Sequence, residues 1–182
     1  MSEFSVKLLE IAGLGSALQA LRLPFGKDCR SEVSFSVDNI GNHFKTHSEV
    51  EVNANDLVLL STLVKRGDEH AKVLRGVVVW LEINAPIWLY RELETYRFGR
   101  ERLSSESTMH IDCKGLSREE LEAAKDAIPM GKMQRTVDMY SYQTLRRIWI
   151  QRHNHRLPIW HKFCEFIESL SFAKELILAG LS

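Results

Sequence analysis

Four hydroxyl side chains, several ionic groups and a histidine are gathered between Tyr96 and His110, in the run YRFGRERLSSESTMH, directly after one of the most apolar segments of the chain. Ser104, Ser105, Ser107 and Thr108 are short donors and acceptors that can approach a phosphate or the edge of a base closely. Arg97, Arg100 and Arg102, with Arg91, Glu92 and Glu94 just upstream, supply guanidinium groups able to grip a phosphate through two parallel bonds. The same composition also suits a solvated surface loop behind a helix. A second group, Arg152, His153, Asn154, His155 and Arg156, precedes Pro158. Two histidines two residues apart do not share a helix face, and no acidic or cysteine partner stands at ligand spacing, so no metal site is expected. Arg152, Asn154 and Arg156 instead suit a phosphate or a planar base.

Lys plus Arg equals Asp plus Glu at 24 each. No global field therefore draws the chain to nucleic acid or to a membrane surface, and any affinity for phosphate must be local. Length and composition suit one packed domain over residues 1–182, with 45% hydrophobic residues arguing against disorder. Cys29, Cys113 and Cys164 are odd in number and far apart, which suggests neither a disulfide framework nor a zinc site and fits a reducing cytoplasm. The first residues lack the cationic start and apolar run of a secretory signal, and no stretch approaches the roughly 18 apolar residues of a membrane span. No P-loop, dinucleotide fingerprint or esterase elbow is present.

The elements that must position these groups follow from periodicity. FSVKLLEIAGLG reads as an opening strand and turn, SALQALRLP as a short helix, and SEVSFSVDN with GNHFKTHSEVEV as a hairpin. NANDLVLLSTLVKRG is a helix with Asn55 or Asp56 as N-cap. GVVVWLEIN is the strongest strand, expected to be central and buried on both faces at its start. A helix follows from Pro86, and another from Ser117 with Glu120 completing a capping box. The last fifty residues read as helix throughout, with Tyr140, Leu145, Ile148 and Trp149 on one face. The sum is α+β: a small mixed or antiparallel sheet with helices packed on it.

Over VVVWLEINAPIWLYRELETYRFGRERLSSESTMH the chain resembles the flavin-dependent thymidylate synthases, in which a strand, an AP turn and a helix with an RQ pair lead into RHRxxSxNExSxRY. LVKRGDEHAKVLRGV is similar to that family's helix ending in GHE, and LRRIWIQRHNHRLPIWHKF to its late NLR and QWEIR region, so the resemblance covers about two thirds of the chain. Arg91 keeps the arginine of the RQ pair, and Glu92 replaces the glutamine that holds the pyrimidine. Thr95 and Tyr96 replace the first two residues of RHR, and Arg97 is retained. Ser105 and Glu106 stand for NE, Ser107 or Thr108 for the serine, while Met109 and His110 occupy the place of the closing RY.

The resemblance implies a thymidylate-synthase-like fold and a pyrimidine deoxynucleotide, of dUMP or dCMP type, held between the subunits of a homotetramer. Arg91, Ser105, Ser107, Arg152 and Arg156 would hold phosphate and sugar, with Glu106, His110 and Asn154 beside them. Glu92 would accept hydrogen bonds from the base, favouring a donor-rich edge such as cytosine's amino group. FAD, near Tyr96 and Arg97, and a folate are the implied cofactors for C5 methyl or hydroxymethyl transfer, although two of the three RHR residues are gone. The alternative is a catalytically silent relative that sequesters a nucleotide or binds a protein partner. Compact divergent members of this kind resemble those of bacteriophage and prophage, in a bacterial or phage-infected cytoplasm.

Overall fold

The computed structural model describes residues 3–28, 32–40 and 43–181, with backbone alone for 33, 35–40 and 43–50. Strand β1 (Ser5–Ala12) and helix α1 (Leu14–Arg22) are followed by a hairpin, β2 (Glu32–Ile40) and β3 (His43–Glu51), and by α2 (Ala54–Lys65). Then come β4 (Val78–Pro86), α3 (Ile87–Leu93), β5 (Arg100–Ser105), the single turn α4 (Thr108–Ile111) and α5 (Arg118–Asp126). The chain ends with β6 (Met133–Ser141), α6 (Tyr142–Arg152), α7 (Pro158–Glu168) and a π-type turn, Ala173–Ile177. Four strands form an antiparallel sheet in the order β1-β4-β6-β5, and β2 pairs with β3 alone.

β4 is central, as its β-branched and aromatic composition predicts. Its burial alternates, however: Val79, Leu81, Ile83 and Ala85 are buried, while Val78, Trp80, Glu82 and Asn84 are only half-buried. Burial on both faces at its start is therefore not what is found. Helices cover one face, where Leu18, Leu60, Leu89, Leu145, Trp160 and Ile167 join the β4 side chains in one core. The α+β reading and the hairpin hold.

The largest departure from the expected elements lies in the last fifty residues, which are not helical throughout. MQRTVDMYS forms β6, with Thr136, Asp138 and Tyr140 buried and Val137 and Met139 half-buried. Its period of two was hidden because a charged residue, Asp138, occupies a core-facing position that a hydropathy pattern scores as surface. β5 was masked in the same way. RERLSS alternates with Arg100 and Arg102 turned inward, and the stretch read as a loop is an edge strand.

Capping follows local rules with one shift. Ser117 and Glu120 form the expected capping box on α5. On α2 the cap is Asn53, whose side chain accepts from the Asn55 N–H at 3.0 Å, rather than Asn55 or Asp56. Asp56 is buried instead and accepts from Arg22 Nε at 2.7 Å, tying α2 to the end of α1. Cys113 and Cys164 are free and buried, and Cys29 lies outside the described residues. Among the described residues no helix is long and apolar enough to cross a membrane.

Gly13, at φ +86, joins β1 to α1 against the backbone of the turn before β4; a Cβ there would lie 1.8 Å from the Gly76 carbonyl oxygen. Gly13→Ala is expected to lower stability by more than about 2 kcal/mol, measured by urea unfolding, because both the left-handed backbone and the space forbid a side chain.

Candidate functional site

The inward charges of β5 meet on one carboxylate. Asp138 has no solvent exposure. Arg100 Nε donates to Asp138 Oδ2 and to the Tyr140 hydroxyl, each at 2.9 Å, and Arg100 Nη2 also bonds Asp138 Oδ2. Arg102, opposite Asp138 in the strand register, sits 3.5 Å from Asp138 Oδ1 and 3.4 Å from Glu94 Oε1, with its guanidinium carbon 4.8 Å from the Tyr90 ring centroid. Burial pushes the Tyr90 phenol up to about 12 and raises Tyr140 further. Both phenols stay protonated at neutral pH, and the cluster acts as a cross-brace between β5, β6 and α3.

The brace fixes a turn. After α3 the chain runs through residues 95–99 onto the start of α6. Ser141 N donates to the Gly99 carbonyl at 2.7 Å, and Thr144 Oγ1 donates to the Phe98 carbonyl at 2.5 Å. Gly99 has φ +77, and a Cβ there would fall 2.3 Å from Ser141 Oγ and 2.6 Å from Thr144 Oγ1, so only glycine permits this approach. Ser141 is the α6 N-cap, accepting from Thr144 N at 3.2 Å.

Two adjoining clefts open beside this turn and share Phe98 and Arg147. One, of about 520 Å³, is lined by Arg75, Phe98, Gly99, Ser141, Gln143 and Arg147. The other, of about 360 Å³, adds Thr95, Tyr96, Arg97, Thr144 and Gln151. Arg75 Nε donates to Gln143 Oε1 at 2.8 Å. Because arginine carries no acceptor, that bond fixes which way the amide faces. Gln143 is 5% exposed, and its Nε2 is buried without a protein partner. Arg147 pairs with the exposed Asp68 through Nε at 3.2 Å and Nη2 at 2.8 Å. The Phe98 side chain is 83% exposed.

The residues singled out in the sequence fall into two places. Glu92, Tyr96 and Arg152 converge: Glu92 Oε2 lies 3.2 Å from Arg152 Nη1 and accepts from Trp160 Nε1 at 3.1 Å. Arg152 Nε donates to the Tyr96 hydroxyl at 2.9 Å, which donates to Gln151 Oε1 at 2.9 Å. Arg152 also lies over the Trp160 ring, 4.5 Å from its centroid. Arg97 is exposed on the second cleft, Arg91 is exposed on α3, and Arg156 is exposed after α6. Asn154 Nδ2 lies 2.9 Å from His153 Nε2.

Ser105, Glu106, Ser107 and His110 lie at the other end of β5, about 17 Å from Arg100 at a strand rise of ~3.3 Å per residue. Glu106 accepts from Arg135 N at 2.9 Å and Arg135 Nε at 2.7 Å, beside a hollow of about 270 Å³ that Ser105 also lines. The Arg135 backbone N–H and guanidinium hold the Glu106 carboxyl below its usual range. Ser107 caps α4 and lies 3.0 Å from His110 Nδ1. A single chain does not bring this group to the clefts. Among the described residues no group of three or more His, Cys, Asp or Glu is placed to hold a metal.

Sequence reasoning missed Arg75, Gln143, Arg147 and Gln151. Gln143, Arg147 and Gln151 carried a weak signal as polar positions four residues apart on α6; Arg75, 68 residues before Gln143, carried none.

No protein-family model matches the chain, and no curated protein sequence matches it. Solved structures do. Flavin-dependent thymidylate synthase ThyX from Helicobacter pylori, complexed with FAD and dUMP, superposes with a TM-score of 0.67 at 13% identity over 94% of this chain and 97% of that one. A second structure of that enzyme with FAD and dUMP gives 0.67 at 14% identity over 96% and 97%. The UMP/dUMP methylase PolB from Streptomyces cacaoi, bound with 5-Br dUMP, gives 0.65 at 12% identity over 97% and 95%. The chain therefore has the flavin-dependent thymidylate synthase fold.

The two carboxylate clusters differ in burial, and their removal should differ in cost. Asp138→Ala, which strands the buried Arg100 guanidinium, is expected to cost about 3–5 kcal/mol. Glu106→Ala, at a half-exposed pair, is expected to cost about 1 kcal/mol or less in the same denaturation measurement.

Proposed function

We propose that this chain, which has the fold of proteins solved with dUMP and 5-Br dUMP, binds a pyrimidine deoxynucleoside monophosphate, of dUMP or dCMP type, in the paired clefts beside Phe98. One observation carries the reading. Gln143 lines the cleft beside the guanidinium groups of Arg75 and Arg147, and its amide Nε2, closed off from solvent, has no protein partner. An orphaned buried donor costs about 1–3 kcal/mol unless an acceptor reaches it. A phosphate or a ring carbonyl is such an acceptor. The N-terminal end of α6 adds a field of the same sign at the same place. Arg147 is free to turn to a phosphate, since its exposed pair with Asp68 is worth little in water.

Glu92, half-buried, has structural partners as well as the place the resemblance gives it at the base. Its carboxylate already receives Trp160 and Arg152, and that pairing supports a role in holding α3 against α6 and α7. Arg97, on the second cleft, takes the place of Arg91 and Arg156 as the accessible cation nearest the turn.

Flavin is tested by the same residues. Of the two positions that the resemblance gives to FAD, Tyr96 is buried with its hydroxyl held by Gln151 and Arg152, and Arg97 is exposed on the second cleft. Arg97 alone is left to meet a ligand. These residues do not fit a flavin held through both positions. Nucleotide binding without turnover is therefore the reading supported best. The second reading is one-carbon transfer to C5 by a homo-oligomer in which residues 105–110 of another copy complete the cleft. It is favoured by the separation of the two groups along β5, which leaves the hydroxyl-rich segment unused within one chain.

Calorimetric titration with dUMP and with dCMP tests the proposal. Micromolar to millimolar binding of at least one is expected, with Arg147→Ala weakening it roughly tenfold. Absence of binding by either nucleotide at millimolar concentration refutes it. Release of label from C5-tritiated nucleotide, in the presence of FAD and a methylene-carrying folate, would establish the second reading; retained label is expected.

A further inference from the structure

The most exposed large hydrophobic side chain of the described residues stands on one of the most tightly held turns. Phe98 is 83% exposed. Its carbonyl accepts from Thr144 Oγ1, the next carbonyl accepts from Ser141 N, and Gly99 is pressed against Ser141 and Thr144 without room for a Cβ. The backbone is thus anchored to the first turn of α6 while the ring is held in water, between the two clefts that share it.

The surroundings decide what a ring in that position suits. Aromatic rings and arginines are both enriched at protein interfaces, so composition alone does not separate a partner from a small ligand; the place of the ring between two clefts, and not on a flat face, favours the ligand. Phe98 is flanked by Arg75, Arg97 and Arg147, with the polar Gln143 and Gln151 beyond them. A flat apolar surface ringed by guanidinium groups matches a ligand with a flat ring at one end and an anion at the other, which is the chemistry of a nucleotide.

Resting on the nucleotide reading above, we infer that Phe98 is the stacking platform for the pyrimidine ring, so that the protein itself supplies the aromatic face against which the base lies. Phosphate is then bound by Arg75 and Arg147, and the base is positioned by the anchored turn. Phe98 is a binding residue that touches the base directly; no bond is made or broken at it.

The test compares dUMP with 2-deoxyribose 5-phosphate, which keeps the sugar and phosphate and lacks the base, by calorimetry on the wild-type protein, Phe98→Ala and Phe98→Trp. Phe98→Ala is expected to weaken dUMP roughly tenfold, within the range of base–aromatic stacking, and to leave the base-free ligand unchanged. Phe98→Trp is expected to keep wild-type affinity for dUMP. Ligand-free melting temperature and sedimentation mass are expected to stay the same in both variants. Equal weakening of both ligands, or of neither, overturns the proposal while leaving nucleotide binding intact. A change in sedimentation mass of Phe98→Ala assigns the ring to a subunit contact and overturns it as well. If the wild-type protein binds neither ligand, the nucleotide reading fails first.

Discussion

A carboxylate with no access to water must be compensated within the protein, and in this fold that requirement falls on Asp138. Its two cationic partners come from β5, and the Tyr140 hydroxyl on β6 donates to it as well. Arg100 and Arg102 point inward from an edge strand, against the buried hydroxyl of Tyr140 and the ring of Tyr90, where aliphatic side chains would ordinarily lie. The strand order β1-β4-β6-β5 places β5 where both arginines can reach the carboxylate. Inward-pointing charges also make β5 a poor template for pairing with a stray strand, a common protection of sheet edges.

The same constraint shapes the candidate site. Once Arg100 is held by Asp138 and Tyr140, the preceding residues must turn sharply, and the turn is completed by the fit of Gly99 against Ser141 and Thr144. Phe98 and Arg97 are thereby presented beside the start of α6, where Gln143 and Arg147 project. The clefts are a product of the junction between strand β5, strand β6 and helix α6. Polar residues far apart in the chain contribute to them because those three elements meet there.

Several groups that look like ligand-binding residues also hold helices together. Glu92, Arg152, Tyr96, Gln151 and Trp160 form a chain of bonds linking α3, α6 and α7. Retention of a scaffold with its polar positions turned to internal bonding is compatible with a changed or reduced activity on the same fold. The fold carries over at 12–14% identity because it depends on which positions are buried and on strand register, whereas activity depends on particular side chains being free.

Much of the architecture was legible in the residues alone. The β-branched run Val77–Ile83 announces a central strand, Ser117 with Glu120 announces the start of α5, and the alternation on either side of residues 41–42 announces a hairpin. These depend on local periodicity and capping, which are properties of neighbours in the chain. β5 and β6 escaped because their core-facing positions are charged, and a charge reads as surface until its partner on another strand is known. The site escaped for the same reason at longer range. That Glu92 meets Arg152, whether Gln143 has a partner, and that Arg75 stands beside it are decided by contacts across 60 to 68 residues of chain. Sequence determined which segments could be helix, strand or turn; only the tertiary structure decided which polar groups were already paired, because pairing depends on distances that composition and spacing do not contain.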